Sequence, residues 1–221
     1  MTDLNTKALA IKKQILQSSF DAHACHIGSA LSCVDIMVNL FYKELKEDDV
    51  FLFSKASGVA TYYTILSDLG YFPKEKIAEY LHDYPLPHKS VPQIIHSCGS
   101  LGHGLPVATG IAYTNRNKRV FVLISDGEVQ EGTTWESALF ARQHNLTNLH
   151  VIVDYNHMQA CDATEKILDL ETAMTFLKAT FPNIDIVETT KGQGVDFMEN
   201  EPSWHYKNLT QELLDKALCQ I

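Results

Sequence analysis

The chain has 221 residues, 45% apolar and 20% charged, with a formal net charge of −9. It is long enough for a substantial core, and no stretch reads as a linker, so one domain over 1–221 is expected. The negative charge argues against nucleic acid or an anionic membrane as main partner, so any phosphate must be held locally by metal, backbone and individual side chains.

Leu4, Ala8, Ile11 and Ile15 recur at helical spacing, and this first segment ends near Ala22. Ser32-Cys-Val-Asp35 reads as a capping box for a second helix with Val34, Met37, Val38, Phe41 and Leu45 on its apolar face, which leaves His26 in the loop before it. Phe51 to Gly58 reads as a buried strand running into a loop, and Thr61 to Leu69 as the next helix. Pro73 opens a short helix. Leu81 to Ile95 is then read as loop, with His82, His88 and the following His96. Gly99-Ser-Leu-Gly-His-Gly104 places three glycines in six residues ahead of Ala108, Ile111 and Ala112. That describes a tight loop feeding a helix, whose first N–H groups can receive an anion.

Phe121-Val-Leu-Ile-Ser-Asp-Gly-Glu-Val-Gln-Glu-Gly132 and Val151-Ile-Val-Asp-Tyr-Asn-His-Met158 form the centre. In each, an apolar β-branched run stops at polar residues, as a buried parallel strand does when it delivers a loop to the carboxyl edge of a sheet. Asp126 and Asn156 follow the two strands thirty positions apart, and a right-handed crossover through the helix between them brings both to one rim. A carboxylate and an amide oxygen are hard ligands suited to Mg²⁺. Thr133-Thr-Trp-Glu136 reads as a further capping box, with Trp135, Ala138 and Leu139 facing inward. Ile167, Leu170, Ala173, Met174 and Leu177 mark one helix, Ile184 to Val187 a strand, and Thr210 the start of a final helix. The pattern is α/β, a three-layer doubly wound, mostly parallel sheet with helices on both faces. No Gly-x-Gly-x-x-Gly follows an early strand, which sets a nicotinamide-binding reading aside. Taken alone, Asp-Gly after a strand is commonly a turn and a loop histidine commonly a surface residue.

Five cysteines, Cys25, Cys33, Cys98, Cys161 and Cys219, include no Cys-x-x-Cys pair, so neither zinc nor a disulfide framework is indicated and reduced cytoplasm fits. No apolar run approaches membrane-spanning length.

Ser125-Asp126-Gly127, Glu131-Gly132 and Asn156 resemble the thiamine diphosphate signature, Gly-Asp-Gly followed some thirty residues later by Asn, with Ser125 in place of the first glycine. The resemblance implies that Asp126, Asn156 and the backbone carbonyl of Met158 hold Mg²⁺, or Ca²⁺ or Mn²⁺ in its place, with Gly127 and Glu128 as adjoining cofactor positions. Cys25-His-Ile-Gly-Ser-Ala-Leu-Ser32 resembles a transketolase segment whose histidine, here His26, reaches the substrate. Gly99 to Gly104 is similar to the transketolase Gly-Ser-Leu-Gly-Gln/His-Gly. Gly99, Ser100, Leu101 and Gly102 would line the cofactor, Leu101 packing on it, with His103 close by. Where transketolases have Ser-Lys-Gly-His, this chain has Ala56-Ser57 in the last two places, so Ser57 stands as a weaker phosphate partner. His88 is the nearest match to a Gly-His-Pro segment. Glu131 matches a glutamate at the subunit interface. Lys191 to Asn200 and Trp204-His-Tyr-Lys207 resemble the segments that end the first transketolase domain, which directs His205 at the substrate.

The match runs from about Ala8 to Lys207, so the chain is identified as the amino-terminal, diphosphate-binding half of a transketolase encoded as a separate subunit. The resemblance implies transfer of a two-carbon ketol unit from a ketose phosphate to an aldose, with His26, His205, His88 and His103 moving hydroxyl protons. It also implies a separate pyrimidine-binding subunit, two copies of each. Between Leu177 and Ile184 a strand and helix present in family members are missing. Two other readings stay open: another thiamine diphosphate-dependent ketol or ketoacid enzyme, and a catalytically impaired subunit with an assembly or regulatory role.

Overall fold

The computed structural model describes residues 3–160 and 162–221, so Cys161 lies outside the described residues. In chain order the elements are α1 Leu4–Asp21, α2 Ile27–Ser32, α3 Val34–Asn39 and β1 Val50–Phe53, then α4 Val59–Asp68, α5 Lys76–Asp83, α6 Gly104–Thr114 and β2 Val120–Ser125. They continue with α7 Asp126–Val129, α8 Gly132–Gln143, β3 Leu149–Tyr155, α9 Thr164–Ile167, α10 Glu171–Thr180, β4 Asn183–Glu188 and α11 Gln211–Leu218. The four strands are all parallel in the order β1-β2-β3-β4. This is the parallel, helix-flanked α/β sheet that the strand pattern predicts.

The described residues divide into two compact units, one within 3–45, 57–97 and 189–221, the other within 46–56, 98–160 and 162–188. The second is the sheet unit. Every residue of β2 is buried, as in a central parallel strand, and Val120, Val122, Ile124, Val151 and Val153 pack with Leu105, Ala108, Ala138 and Ala141 of the helices. The first is helical. Ile11, Ile15 and Leu16 of α1 are buried with Leu31, Met37, Tyr63 and Ile77, and Trp204 is buried while donating its indole N–H to the Phe197 carbonyl at 2.8 Å.

Several local expectations change. The capping box at Ser32 does not form: Ser32 ends α2, and its hydroxyl bonds back to the Ser29 carbonyl at 3.1 Å, the usual competing use of a serine inside a helix. The apolar face that follows runs from α3 into a π turn, Leu40–Glu44. His82 lies on α5, not in a loop. α8 begins at Gly132, and the hydroxyls of Thr133 and Thr134 bond instead to the carbonyls of Gly102 at 2.9 Å and Glu128 at 2.6 Å. Tertiary acceptors outcompete a local cap there. On α8, Ala138 and Ala141 are buried in the core and Trp135 packs against it as expected, whereas Leu139 is 70% exposed. The single helix expected from Ile167 to Leu177 is two, with Leu170 at the amino-terminal cap of α10 and Ile167 exposed. α10 meets β4 through Phe181 and Pro182 alone, which accords with the missing strand and helix.

Candidate active site

The sheet unit gathers its polar residues at the carboxyl ends of β1, β2 and β3, where each buried strand must release its chain and the loops carry no ladder to satisfy. Register aligns Ser125 with Asp154, so the chain leaves β2 into Asp126 and leaves β3 towards Asn156 at the same rim of the sheet. Asp126 is 1% exposed. Its Oδ1 accepts the Gly127 N–H at 2.8 Å, while its Oδ2 is buried with no hydrogen-bond partner among the described residues. Burial pushes the Asp126 carboxyl up to about 6; Lys55 opposes the shift, Asp154 adds to it, and the N–H groups of Gly127 and His157 oppose it.

Asn156 is buried, and its Oδ1 accepts the Met158 N–H at 3.0 Å, closing an Asx turn around His157 at φ 61°. Met158 bridges to Ala163, but the bonds of that bridge use the His157 carbonyl and the Gln159 N–H, not the Met158 carbonyl. A buried, unsatisfied carboxylate oxygen beside a buried amide oxygen and a backbone carbonyl is the donor set of a hard cation, so these residues fit a divalent metal.

Two residues here escaped sequence reasoning. Lys55 and Asp154 form an ion pair of 3.0 Å with side chains 3% and 0% exposed. The available signals were a lysine two residues past an apolar strand and an acid inside one, since neither is buried without a partner.

Glu128 is fully buried and takes bonds from Ser125 N–H at 2.7 Å, Ser125 Oγ at 3.1 Å, Gly102 N–H at 3.3 Å and the Ser54 hydroxyl. Burial raises its carboxyl and these bonds oppose the rise. Glu128 thus ties the glycine loop to two strand ends. Gly102 has φ +76°, and a Cβ on it would fall 2.4 Å from Thr133 Oγ1 and 2.8 Å from Glu131 Cβ. Gly104 at the start of α6 is as tight, its Cβ falling 2.4 Å from Ser54 Oγ. Only glycine allows this loop to lie so close. Gly99, Ser100, Leu101 and His103 are exposed along it, Leu101 by 46%. His103 caps α6 without a side-chain cap bond. Glu131 caps α8, likewise by backbone alone.

In the helical unit, His26 caps α2 in a left-handed conformation, φ 66°. Its N–H donates to the His205 carbonyl at 3.1 Å, and the two rings meet edge to face at 4.6 Å. Residues 179 positions apart are thereby paired, as a shared substrate role would require. Tyr206 lies 4.8 Å from His205, and Cys25 Sγ is 3.5 Å from His26 Nδ1. His88 is held differently: its ring stacks on Tyr84 at 4.5 Å and its Nδ1 accepts the Ser90 N–H at 3.2 Å. Ser57, in a single 3-10 turn at Ala56–Gly58, is partly buried.

The sequence model of the thiamine pyrophosphate enzyme C-terminal, cofactor-binding domain matches residues 76–220. One subunit of the apulose-4-phosphate transketolase of Actinobacillus succinogenes is 33% identical over 99% of this chain and 96% of its own length. The chain belongs to the transketolase family. It is accordingly a transketolase-type transferase chain whose cofactor is thiamine diphosphate. The subunit of the same description from Phocaeicola vulgatus is 30% identical over 95% of this chain and 90% of its own. The transketolase structure from Campylobacter jejuni superposes with a TM-score of 0.89 at 22% identity, covering all of this chain and 43% of that one. The chain thus spans about two fifths of that transketolase. The A. succinogenes alignment runs over 265 positions against 221 residues here, so that relative carries segments this transketolase chain lacks.

Proposed function

We propose that this chain is the diphosphate-binding subunit of a split transketolase, transferring a two-carbon ketol unit from a ketose phosphate to an aldose only in complex with a separate pyrimidine-binding subunit, two copies of each, in the cytoplasm. The carrying observation is the buried Asp126 carboxylate with its unsatisfied Oδ2 beside the Asn156 turn. Asp126, Asn156 and the Met158 carbonyl would hold Mg²⁺, which neutralises the diphosphate there. Gly99, Ser100, Leu101 and Gly102, with Gly127 and Ser57, would line the cofactor, and Glu128 holds that loop in place. Bound thiamine diphosphate supplies the electron sink for breaking and remaking a carbon–carbon bond. His26 and His205 orient the sugar and move its hydroxyl protons, work suited to imidazole side chains. His88 and His103 have weaker claims to the same task, since His88 is committed to Tyr84. The whole chain serves as one diphosphate-binding module.

The Ser125 departure from the signature supports an active subunit more than an impaired one, because both its N–H and its hydroxyl serve Glu128. The partner is expected on the sheet unit, where Leu101, Tyr113, Leu139 and Phe140 are exposed by 39 to 70%. Permanent interfaces of this kind bury on the order of 2,000 Å² or more. Glu131, which opens α8, would meet its counterpart there. The test is two-carbon transfer and thermal midpoint of the purified chain, alone and with the pyrimidine-binding chain. Activity and a higher midpoint are expected only with the partner. Full activity from this chain alone would refute the split site.

A further inference from the structure

His157 stands between Asn156 and Met158 with φ 61°, a left-handed conformation that a β-carbon makes costly and that surrounding contacts must enforce. Its backbone N–H faces the Asp126 carboxylate, and its carbonyl accepts the Thr164 N–H at 2.9 Å. Its ring lies against Tyr155 with centroids 3.9 Å apart, and its Nε2 is 2.6 Å from Glu188 Oε2. The register explains that last contact. Tyr155 pairs with Glu188 at the last rung of the β3–β4 ladder, so the turn that leaves β3 starts beside Glu188. The ring therefore braces the turn after β3 against the end of β4. Both side chains are more than half exposed, at 54% and 67%, so the pair adds little to the stability of the fold. Its effect falls on the turn.

We propose that His157, braced by Glu188, is a positioning residue that fixes the turn presenting the Asn156 side chain and the Met158 carbonyl to the divalent cation. This rests on the metal site proposed above. Groups that orient metal ligands without touching the metal commonly change affinity by 10- to 100-fold when removed. The brace is partly exposed, so the lower figure applies.

The experiment titrates Mg²⁺ at fixed thiamine diphosphate into the full chain assembled with its partner and follows cofactor binding by calorimetry. His157→Ala and Glu188→Ala should each raise the half-saturating Mg²⁺ about tenfold. The double variant should be no worse than His157→Ala alone. His157→Gly, which relieves the backbone but removes the ring, should lose affinity like His157→Ala. Thermal midpoints without metal should stay at the wild-type value, and excess Mg²⁺ should restore cofactor binding, which a merely structural defect would not allow. A wild-type half-saturation point in the single variants, or a loss that excess Mg²⁺ does not repair, overturns the inference. Asp126→Ala run alongside separates the two levels. If it abolishes Mg²⁺ dependence while the His157 variants behave as wild type, only the brace is wrong; if it leaves that dependence intact, the metal site itself fails and the brace with it.

Discussion

The two units of this chain hold their candidate site residues in different ways. In the sheet unit Asp126, Glu128, Asp154, Asn156 and Lys55 are all buried, and each but Asp126 Oδ2 is engaged by a neighbour. In the helical unit His26 and His205 are only partly buried, and they are arranged by a backbone bond and ring contact. Buried charge fixes geometry at a cost in desolvation, which suits a site that must grip a metal and a diphosphate. Two imidazoles brought together in this way suit proton transfer to a substrate that comes and goes. On the proposed reading this is a division of labour between residue sets: the buried set of the sheet unit serves the cofactor, and the paired histidines of the helical unit serve the sugar.

The largest test of that division removes the orphaned carboxylate. Asp126→Ala should abolish Mg²⁺-dependent binding of thiamine diphosphate by the assembled complex, and undiminished binding by calorimetry would return Asp126 to an ordinary turn. Next comes the Lys55 and Asp154 pair. Lys55→Met strands a buried carboxylate and should destabilise the chain by about 3–5 kcal/mol in urea unfolding, whereas loss of an exposed surface partner would cost under about 1 kcal/mol. A small effect would mean that water reaches this corner.

For the helical unit, His26→Ala and His205→Ala should each lower turnover by about 100-fold with cofactor binding unchanged. Equal losses in turnover and cofactor affinity would move these residues to the cofactor and erase the division of labour.

The smallest effect has the less obvious sign. The folded Asp126 carboxyl sits near 6 against an ordinary 3.8, so its ionisation is disfavoured in the metal-free fold. Stability from this group is greatest below about pH 4 and is lost as pH rises through about 6, a difference on the order of 2–3 kcal/mol. Asp126→Asn should therefore raise the thermal midpoint of the metal-free chain at pH 7.5 by a few degrees and leave it unchanged near pH 3.5. A lower midpoint at pH 7.5 would show that the carboxylate is already compensated without metal.

Much of this was readable from residue order. Strand runs that stop at Asp126 and Asn156 announced the rim, and the glycines from Gly99 to Gly104 announced a close-packed loop. What failed was local. The threonines at 133 and 134 carry the pattern of a cap, yet Gly102 and Glu128 supply better acceptors from elsewhere in the chain. Leu139 looked like core because it is apolar, but a single 100° step along α8 separates it from the buried Ala138, and hydropathy alone does not say where the apolar stripe ends.

The sequence by itself determined the parallel α/β class and the paired positions after the two central strands, because these depend on periodicity and on which residues interrupt it; the candidates for catalysis came from the resemblance of whole segments to transketolases. Only the tertiary structure decided that His26 and His205 touch, that Lys55 neutralises Asp154, that Glu128 anchors the glycine loop, and that Glu188 reaches His157. Each of these joins residues whose separation along the chain carries no periodic signal. Their contact is set by how whole elements pack.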